Sequence, residues 1–217
     1  MSARPARLVV VTGTGTEVGK TWWAAALAFA LRADGHAVAA RKPVQSFAPT
    51  DAMDGLDAAV LAAATDDAPE AVCPLHRWLA EPMAPPMAAA RLGLPSFTIA
   101  DLVAEITWPE GCDVGLVEGA GGLRSPLADD GDTAALVDAL VPDDVLVVGH
   151  VALGVVHNVR LVVDALATAA RPTRQVTVAL NHFDDHDPLH VASRDWLVDR
   201  DGLTVITAPE DLAARWA

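Results

Sequence analysis

The chain has 217 residues, enough for one domain with a sizeable core, and we predict that residues 1–217 form a single domain. Its hydrophobic fraction is 52%, but it has no apolar run of the roughly eighteen residues that a membrane helix needs, so we expect no membrane partner. The formal net charge of −14 disfavours a nucleic-acid partner, because the phosphate backbone would be repelled.

Short apolar runs alternate with amphipathic patterns along the chain. The apolar runs predict six strands, at Leu8–Val11, Ala37–Ala40, Val114–Val117, Val145–Val148, Val176–Leu180 and Leu203–Ile206. The amphipathic patterns predict six helices, at Lys20–Arg32, Leu56–Ala64, Ile99–Ile106, Thr133–Leu140, Val155–Ala170 and Leu189–Val198. Short apolar strands separated by helices are typical of a parallel sheet covered on both faces. The sequence therefore predicts an α/β fold with a doubly wound, mostly parallel sheet.

The loop between the first predicted strand and the first predicted helix has the composition of a phosphate-binding loop. It reads Gly13-Thr14-Gly15-Thr16-Glu17-Val18-Gly19-Lys20-Thr21, and it is one residue longer than the common pattern. Backbone N–H groups of such a loop point at the phosphates, and the following helix N-terminus adds positive potential. In this pattern Lys20 reaches the terminal phosphates and the Thr21 hydroxyl binds Mg²⁺. We therefore expect a P-loop NTPase-like three-layer sandwich that binds a nucleoside triphosphate.

Other predicted strand ends carry polar residues, and open parallel sheets bind ligands at that edge. Lys42 precedes Pro43, which indicates either a lysine held in place or a solvated surface charge. Glu118 lies where nucleotide-binding proteins place a magnesium-binding or water-ordering carboxylate, with a simple turn as the alternative. Asn181 offers an amide that pairs with both the donor and the acceptor of adenine, or it forms a turn.

Three further features are less informative. The Pro-rich stretch 81–86 is consistent with an ordered loop or with a plain spacer. The two cysteines, Cys73 and Cys112, lack the spacing of a metal site, so we expect both to be reduced and structural, as in cytoplasmic proteins. Residues 1–7 carry no apolar stretch before a small-residue cleavage site, and we expect no signal peptide.

The set of motifs resembles the dethiobiotin synthetase family of biotin biosynthesis. The matching segments occur in family order: Thr12-Gly13-Thr14, Thr16 to Thr21, Lys42-Pro43-Val44 with Ser46, Glu81-Pro82, Pro85, Val117 to Gly122, Leu153-Gly154 and Asn181. The long phosphate loop, which is unusual among nucleotide-binding proteins, is normal in this family. The resemblance covers residues 8 to 181.

The resemblance implies an ATP- and Mg²⁺-dependent cyclo-ligase. In that reaction 7,8-diaminopelargonate, carbon dioxide and ATP give dethiobiotin, ADP and phosphate, through a carbamate and a carbamic-phosphoric anhydride. Such chemistry depends on positioning and charge neutralisation, because a carbamate and a triphosphate repel each other. The resemblance also implies a cytoplasmic homodimer with active sites at the subunit interface. We expect Leu153, Val155 and Val156 to supply the apolar centre of that interface.

The family's site residues transfer to matching positions. The resemblance implies a catalytic set of Thr16, Glu17, Lys20 and Lys42, and a metal set of Thr21, Asp57 and Glu118. It implies nucleotide contacts along Gly13 to Thr21 and at Glu118, Gly121, Asn181, Pro209 and Glu210. It implies diamine contacts at Thr16, Lys42, Ser46, Leu153, Gly154, Val155 and His157. The backbone around Leu153, Gly154 and Val155 forms a helix N-terminus that favours the substrate carboxylate.

Several positions leave alternatives open or depart from the family. Asp51 and Asp54 share a loop with Asp57, which we prefer because it opens a predicted helix. Gly15 stands where many members carry Asp. His157 replaces Asn, and it either pairs with the substrate carboxylate or is a surface histidine. The chain after Asn181 matches poorly, which leaves nucleobase selectivity open.

Two other protein classes compete with this interpretation. Partitioning or metal-insertion ATPases share the phosphate loop, but they carry a second lysine early in it, and none occurs beside Gly15. Cobyrinate-type amidating ligases carry an additional glutamine-hydrolysing domain with a nucleophilic cysteine, for which this chain has neither the length nor a suitable cysteine.

Overall fold

The chain is described here from a computed structural model that covers residues 3–167 and 175–216. Six strands form a parallel central sheet, at Arg7–Gly13 (β1), Val38–Arg41 (β2), Val114–Glu118 (β5), Asp144–His150 (β8), Gln175–Asn181 (β9) and Thr204–Ile206 (β10). Their order across the sheet is β10-β9-β8-β1-β5-β2. Four short strands make two small ribbons, Gln45–Ser46 (β3) with Trp78–Leu79 (β4), and Pro126–Ala128 (β6) with Gly131–Asp132 (β7).

Helices cover both faces of the sheet. They are Lys20–Ala33 (α1), Asp57–Thr65 (α2), Pro69–Val72 (α3), Pro85–Arg91 (α4), Ile99–Glu105 (α5), Thr133–Leu140 (α6), Val155–Ala167 (α7), Pro188–Asp199 (α8) and Pro209–Ala213 (α9). Within the ranges described, none of them has the length and apolar character needed to cross a membrane.

The core follows the two-residue period of the strands. In β1, Val9 and Val11 pack with α1, α2 and α9, whereas Leu8 and Val10 pack with α5, α6 and α7 on the opposite face. All four side chains are buried. Both faces of the sheet are thus covered, which confirms the predicted α/β three-layer sandwich with a parallel sheet.

The predicted elements agree with the structure in type and differ mainly at their ends. All six predicted strands belong to the central sheet, and the helix predicted at Thr133–Leu140 has those bounds. The helix predicted at Val155–Ala170 is observed up to Ala167, and its last three residues lie outside the described ranges. The two ribbons were not predicted, because two- and three-residue strands are too short to show a period.

The Pro-rich stretch requires a correction. It is a loop only up to Ala84, because Pro85 and Pro86 begin α4. Proline is tolerated in the first helical turn, where the missing N–H has no intrahelical partner. This helix packs against β3, β4 and β6 and carries one wall of the site described below.

Candidate functional site

The loop after β1 folds tightly around the N-terminus of α1. Gly19 caps the helix with a φ of 96°, and a Cβ built there would lie 2.1 Å from Nδ2 of Asn181, so only glycine fits. The Thr14 N–H donates to the Val148 carbonyl at 2.9 Å, which ties the loop to β8. Lys20 is buried, and its Nζ donates to the Gly15 carbonyl at 3.0 Å. The loop therefore has the backbone of a phosphate cradle with its lysine turned inward.

A compact charged cluster lies beside this loop. Thr21 Oγ1 is 2.7 Å from Asp57 Oδ1 and 3.0 Å from Glu118 Oε1. Lys42 Nζ lies 2.7 Å from Asp57 Oδ2, 2.6 Å from Glu118 Oε1 and 2.9 Å from the Gly119 carbonyl. The Lys42 and Glu118 side chains are only 2% and 1% exposed. Asp57 and Glu118 thus meet at the hydroxyl of Thr21, the last residue of the phosphate loop, and Lys42 bridges their two carboxylates.

The ionisation of this cluster follows from burial and mutual attraction. Burial opposes the charged form of Lys42, but the carboxylates of Asp57 and Glu118 outweigh it and raise the lysine pKa. For Asp57 the same lysine outweighs burial and lowers the carboxyl pKa. Burial raises the pKa of Glu118 in spite of Lys42, and burial together with the Lys42 charge lowers the pKa of Lys20. Lys42 is therefore a firmly held cation, whereas Lys20 forms no ion pair with any carboxylate in the described part of the chain.

A cavity of about 620 Å³ opens over the loop and the cluster. It is lined by all the residues predicted for catalysis and metal binding, by three of those predicted for the diamine, and by Gly121 of the nucleotide set. These residues are Thr16, Glu17, Lys20, Thr21, Lys42, Ser46, Asp57, Glu118 and Gly121. Asp51 also lines the cavity, but its carboxylate accepts the Ala48 N–H. Pro82 to Pro85 also line the cavity. The structure thus brings one group of predicted residues together in a single site.

The predicted carboxylate site at the start of α7 is separate from this cavity. Leu153 is 89% exposed, and Gly154 has a φ of 96° with open space where a Cβ would be. His157 is exposed, and neither it nor Leu153 to Val155 lines the cavity. The expectation that Val155 belongs to an apolar dimer surface is wrong, because this side chain is buried against β8, β9 and α8. Its N–H already donates to the Ala152 carbonyl at 3.0 Å.

The predicted nucleoside contacts are also away from the cavity. Asn181 is buried, and its Nδ2 donates to the Val18 carbonyl while its Oδ1 accepts the Trp23 indole N–H. Its predicted role in reading adenine stays a prediction. Pro209 and Glu210 begin α9, which packs against α1, and neither lines the cavity.

Sequence reasoning missed several groups that shape the site. The Gln45 side chain accepts the Ala58 N–H at 3.0 Å and fixes the start of α2, hence the position of Asp57. Gly119 supplies the third acceptor for Lys42, and an added Cβ there would lie 2.6 Å from the Thr133 hydroxyl. Trp23 was assigned only to a helix. Gly119 belongs to the Val117–Gly122 motif, but its contact with Lys42 was not predicted. No sequence motif marks Gln45 or Trp23, because their partners lie at distant positions in the chain.

The chain has few lysine amino groups and few cysteine thiols. Lys20 and Lys42 are the only two lysines in the sequence, and both belong to this site. Both cysteines are free and buried, and burial raises the pKa of Cys73 to about 12. Such a thiol is protonated at neutral pH and is a poor nucleophile.

Comparisons with known proteins agree with this geometry. The profile of an AAA domain family matches residues 7–208. The ATP-dependent dethiobiotin synthetase BioD of Methylobacterium nodulans is 41% identical over 180 residues, covering 78% of this chain and 79% of that protein. The BioD protein of Rhodococcus jostii is 40% identical over 164 residues, covering 75% and 68%.

Similar solved structures support the fold alone, because their sequence identity is low. The structure of chloroplast FtsY from Physcomitrella patens has a TM-score of 0.50 and 16% identity, covering 97% of this chain and 62% of that chain. A DUF1611 family protein from Anabaena variabilis has a TM-score of 0.52 and 17% identity, covering 97% and 57%. With its relatives at about 40% identity and its lysine-lined phosphate loop, the chain belongs to the dethiobiotin synthetase family of ATP-dependent ligases.

Proposed function

We propose that this protein converts 7,8-diaminopelargonate, carbon dioxide and ATP into dethiobiotin, ADP and phosphate. The observation that carries the proposal is the cluster in which Lys42 lies between Asp57 and Glu118, directly beside Thr21 of the phosphate loop. A site that joins a carbamate to a triphosphate needs fixed cations between two anions, and this cavity supplies Lys20 and Lys42.

The proposed reaction has three steps. One substrate amine attacks carbon dioxide and loses a proton, which gives a carbamate. A carbamate oxygen then attacks the γ-phosphorus, ADP departs, and a mixed anhydride forms. The second amine attacks the carbonyl carbon of the anhydride, closes the ureido ring and expels phosphate with loss of a proton.

The cavity residues suit these steps. Lys42 faces the cavity as a cation at neutral pH and is positioned to neutralise the carbamate. The buried Ser46 Oγ has no hydrogen-bond partner within the described residues, so it is available to a substrate or phosphoryl oxygen. Thr16 and Glu17 are exposed on the loop side of the same cavity, where the reacting amine and the γ-phosphate meet in this scheme.

The residues present fit a magnesium ion. Thr21, Asp57 and Glu118 offer oxygen donors, which hard cations prefer, and Glu118 Oε2 is buried with no hydrogen-bond partner in the described part of the chain. Two carboxylates and one hydroxyl are fewer than a full coordination shell, as is usual where phosphate oxygens and water complete it. When bound, Mg²⁺ would neutralise charge on the triphosphate.

The proposed metal role of Glu118 predicts a specific change in metal dependence. Glu118→Gln should shift the Mg²⁺ concentration for half-maximal turnover upward by about tenfold or more, because a neutral amide is a poorer ligand for a hard cation. The KM for the diamine should change much less. Titrations of activity against Mg²⁺ measure both. Superimposable curves for the two proteins would assign Glu118 a structural role only.

The diamine carboxylate requires a second subsite, which we place at the start of α7 of a second subunit. Leu153 and Gly154 are exposed there, and the helix N-terminus favours an anion. This segment does not line the cavity of its own subunit, which supports a site shared across a homodimer. His157 lies on the same exposed turn and is a candidate partner for the carboxylate.

The shared-site proposal predicts complementation between two inactive variants. Lys20→Gln removes a phosphate contact in one subunit, whereas Leu153→Glu places a repelling carboxylate at the other subunit's subsite. Leu153 is 89% exposed, so its replacement should not disturb folding. A mixture should recover about one quarter of wild-type activity, because half of randomly mixed dimers contain one intact site. Subunits that exchange, as shown by mass spectrometry, without recovered activity would contradict the shared site.

The nucleotide contacts are proposed from the family resemblance. Backbone groups from Gly13 to Thr21 would hold the phosphates, and Gly121 would lie close to them across the cavity. Asn181, Pro209 and Glu210 are the proposed nucleoside contacts.

Phosphate release with ATP and Mg²⁺ tests the proposal directly, with and without diaminopelargonate and bicarbonate. Release should depend on both additions and should match dethiobiotin formation one to one, measured by mass spectrometry. Hydrolysis that ignores both additions would instead support a partitioning or metal-insertion ATPase. Omission of bicarbonate alone is the matched control.

A further inference from the structure

Two adjacent tryptophans in the first turn of α1 have opposite environments. Trp23 is 1% exposed and donates its indole N–H to Asn181 Oδ1 at 3.2 Å. Trp22 is 56% exposed and lines the cavity above the phosphate loop. The two rings meet edge to face, with 5.7 Å between their centroids and 81° between their planes. Trp22 is therefore an accessible aromatic ring that packs against a buried one.

Trp22 lies on the route from the phosphate loop to the proposed nucleoside contacts. It directly follows Thr21, the last residue of that loop. Its ring contacts Trp23, which is bound to Asn181, and α9, which begins at Pro209, packs against α1. A nucleotide with its phosphates in the loop and its base at Asn181 must therefore cross the first turn of α1, where Trp22 is exposed.

The proposed base contact at Asn181 leaves the faces of the base uncovered. The Asn181 amide donates one N–H to the Val18 carbonyl and accepts the Trp23 indole N–H, so a second N–H and a second oxygen lone pair stay available to a base edge. Hydrogen bonds to a base edge lie in the plane of the ring. A contact to the face needs a flat apolar group, and an indole supplies one because every base has a π-face on which it can stack.

We propose that the Trp22 indole stacks on the nucleobase of the bound nucleotide, so that Asn181 contacts the edge of the base and Trp22 covers one face. The inference rests on the proposed nucleotide site and adds a side chain to it. It assigns a binding role to an exposed aromatic residue that packing of the core does not require.

A ligand without a base separates stacking from any effect on the phosphate loop. Inorganic tripolyphosphate carries the charge of the nucleotide tail and offers nothing for an indole to stack on. We would measure ATP and tripolyphosphate, each with Mg²⁺, by isothermal titration calorimetry. Trp22→Ala should weaken ATP by about tenfold, the size expected for one base stacked on an aromatic ring, and should leave tripolyphosphate unchanged. Trp22→Phe keeps a smaller ring and should weaken ATP by only about threefold.

The chain offers a matched control on the same helix. Phe29 is 55% exposed, lies seven residues after Trp22 on the same outward face of α1, and does not line the cavity. Seven residues correspond to about 10 Å along the helix axis. Phe29→Ala removes an equally exposed aromatic ring and should leave the affinity for ATP unchanged. Both alanine variants should fold, because the positions are exposed and alanine favours the helix.

Tryptophan fluorescence gives a second readout that does not depend on the size of an affinity change. A base stacked on an indole quenches its emission, so ATP should quench part of the emission of the wild-type protein, whereas tripolyphosphate should not. The chain has six tryptophans. Trp22→Phe at saturating ATP should lose this quenching, which would assign it to Trp22.

Three results would overturn the proposal. An unchanged ATP affinity in Trp22→Ala would show that the indole does not contact the base. An equal loss for tripolyphosphate, or an equal loss of ATP binding in Phe29→Ala, would assign the effect to the phosphate loop or to the outer face of the helix. Quenching by ATP that persists in Trp22→Phe would also overturn it, and this measurement decides alone if Trp22→Ala does not fold. Wild-type protein that binds neither ligand would instead refute the proposed nucleotide site itself.

Discussion

Lys20→Gln should reduce dethiobiotin formation by about two to three orders of magnitude, because losing one electrostatic contact at a transferring phosphoryl group costs on the order of 3 kcal/mol or more in transition-state stabilisation. Lys20 is buried in the phosphate loop, with its Nζ bound to the Gly15 carbonyl. Glutamine is neutral and cannot replace this charge. We expect the loss to appear mainly in kcat.

The same substitution should leave the fold intact. Burial and the Lys42 charge lower the Lys20 pKa, so the folded protein binds this proton less tightly than the unfolded chain does. A charge held in this way opposes folding fully below the lowered folded pKa, and its cost fades as pH rises from that value to the unfolded pKa of 10.5. Removing the charge should therefore keep or slightly raise the melting temperature at neutral pH, measured by circular dichroism. Near-normal turnover by a folded variant would exclude the loop as the reacting phosphate site.

The lysine content of the chain offers an independent measurement. Because Lys20 and Lys42 are the only lysines, an amine-reactive reagent has no other lysine side chain to modify. ATP with Mg²⁺ should protect Lys20 from modification, as read by peptide mass spectrometry. ATP added to the Lys20→Gln protein should leave the label at the α-amino group unchanged, which serves as the internal control.

The sequence was most informative where a backbone motif carries the chemistry. The structure of the loop from Gly13 to Thr21 was predictable, because its glycines, its lysine and the start of the following helix all lie within nine consecutive residues. The central sheet was predicted for the same reason, because apolar strands buried on both faces read as continuous runs. Most of the residues that line the cavity were assigned to one site only through the family resemblance.

The acidic half of the site depends on tertiary contacts that no local pattern contains. Asp51 and Asp54 carry the same side chain as Asp57 and lie within six residues of it in the sequence. What singles out Asp57 is the hydrogen bond from the Ala58 N–H to the Gln45 side chain, which sets the start of α2. The prediction preferred Asp57 for opening a helix, and the structure shows this carboxylate against Thr21 and Lys42.

The error at Val155 had a local cause that was readable in the sequence. The buried residues of α7 include Val155, Val159, Val162 and Leu166, spaced by four, three and four residues. That period places Val155 on the core-facing stripe of the helix. The family resemblance concerned the backbone around Val155 as a binding segment. The prediction extended it to the Val155 side chain, which points into the core.

The second large effect concerns stability. Lys42→Met should lower the free energy of unfolding by about 3–5 kcal/mol, because removing one partner of a buried ion pair leaves an uncompensated charge on the other. Glu118 is 1% exposed and loses its 2.6 Å partner, whereas the Asp57 side chain is 39% exposed and can turn to water. Turnover should be lost as well. Arg124→Met, which breaks a 3.0 Å pair with Asp132 in which the arginine side chain is 63% exposed, is the control and should change stability by about 0–1 kcal/mol.

A second substitution and a pH series identify the cause of the Lys42 effect. Burial already raises the Glu118 pKa, and loss of Lys42 raises it further, so the folded variant takes up a proton that the unfolded chain holds less tightly. A raised folded pKa stabilises fully below the unfolded value of 4.5, and this contribution is lost as pH rises through the folded pKa. The difference in unfolding free energy between wild type and Lys42→Met should therefore be largest at neutral pH and shrink toward pH 4.5.

A double variant tests the same cause. Lys42→Met combined with Glu118→Gln should recover part of the lost stability at neutral pH, because the buried carboxylate is gone. Urea denaturation of the wild type, the two single variants and the double variant completes the cycle. A deficit that is equally large at every pH and in the double variant would mean that Lys42 stabilises the fold through the packing of its side chain and not through its charge.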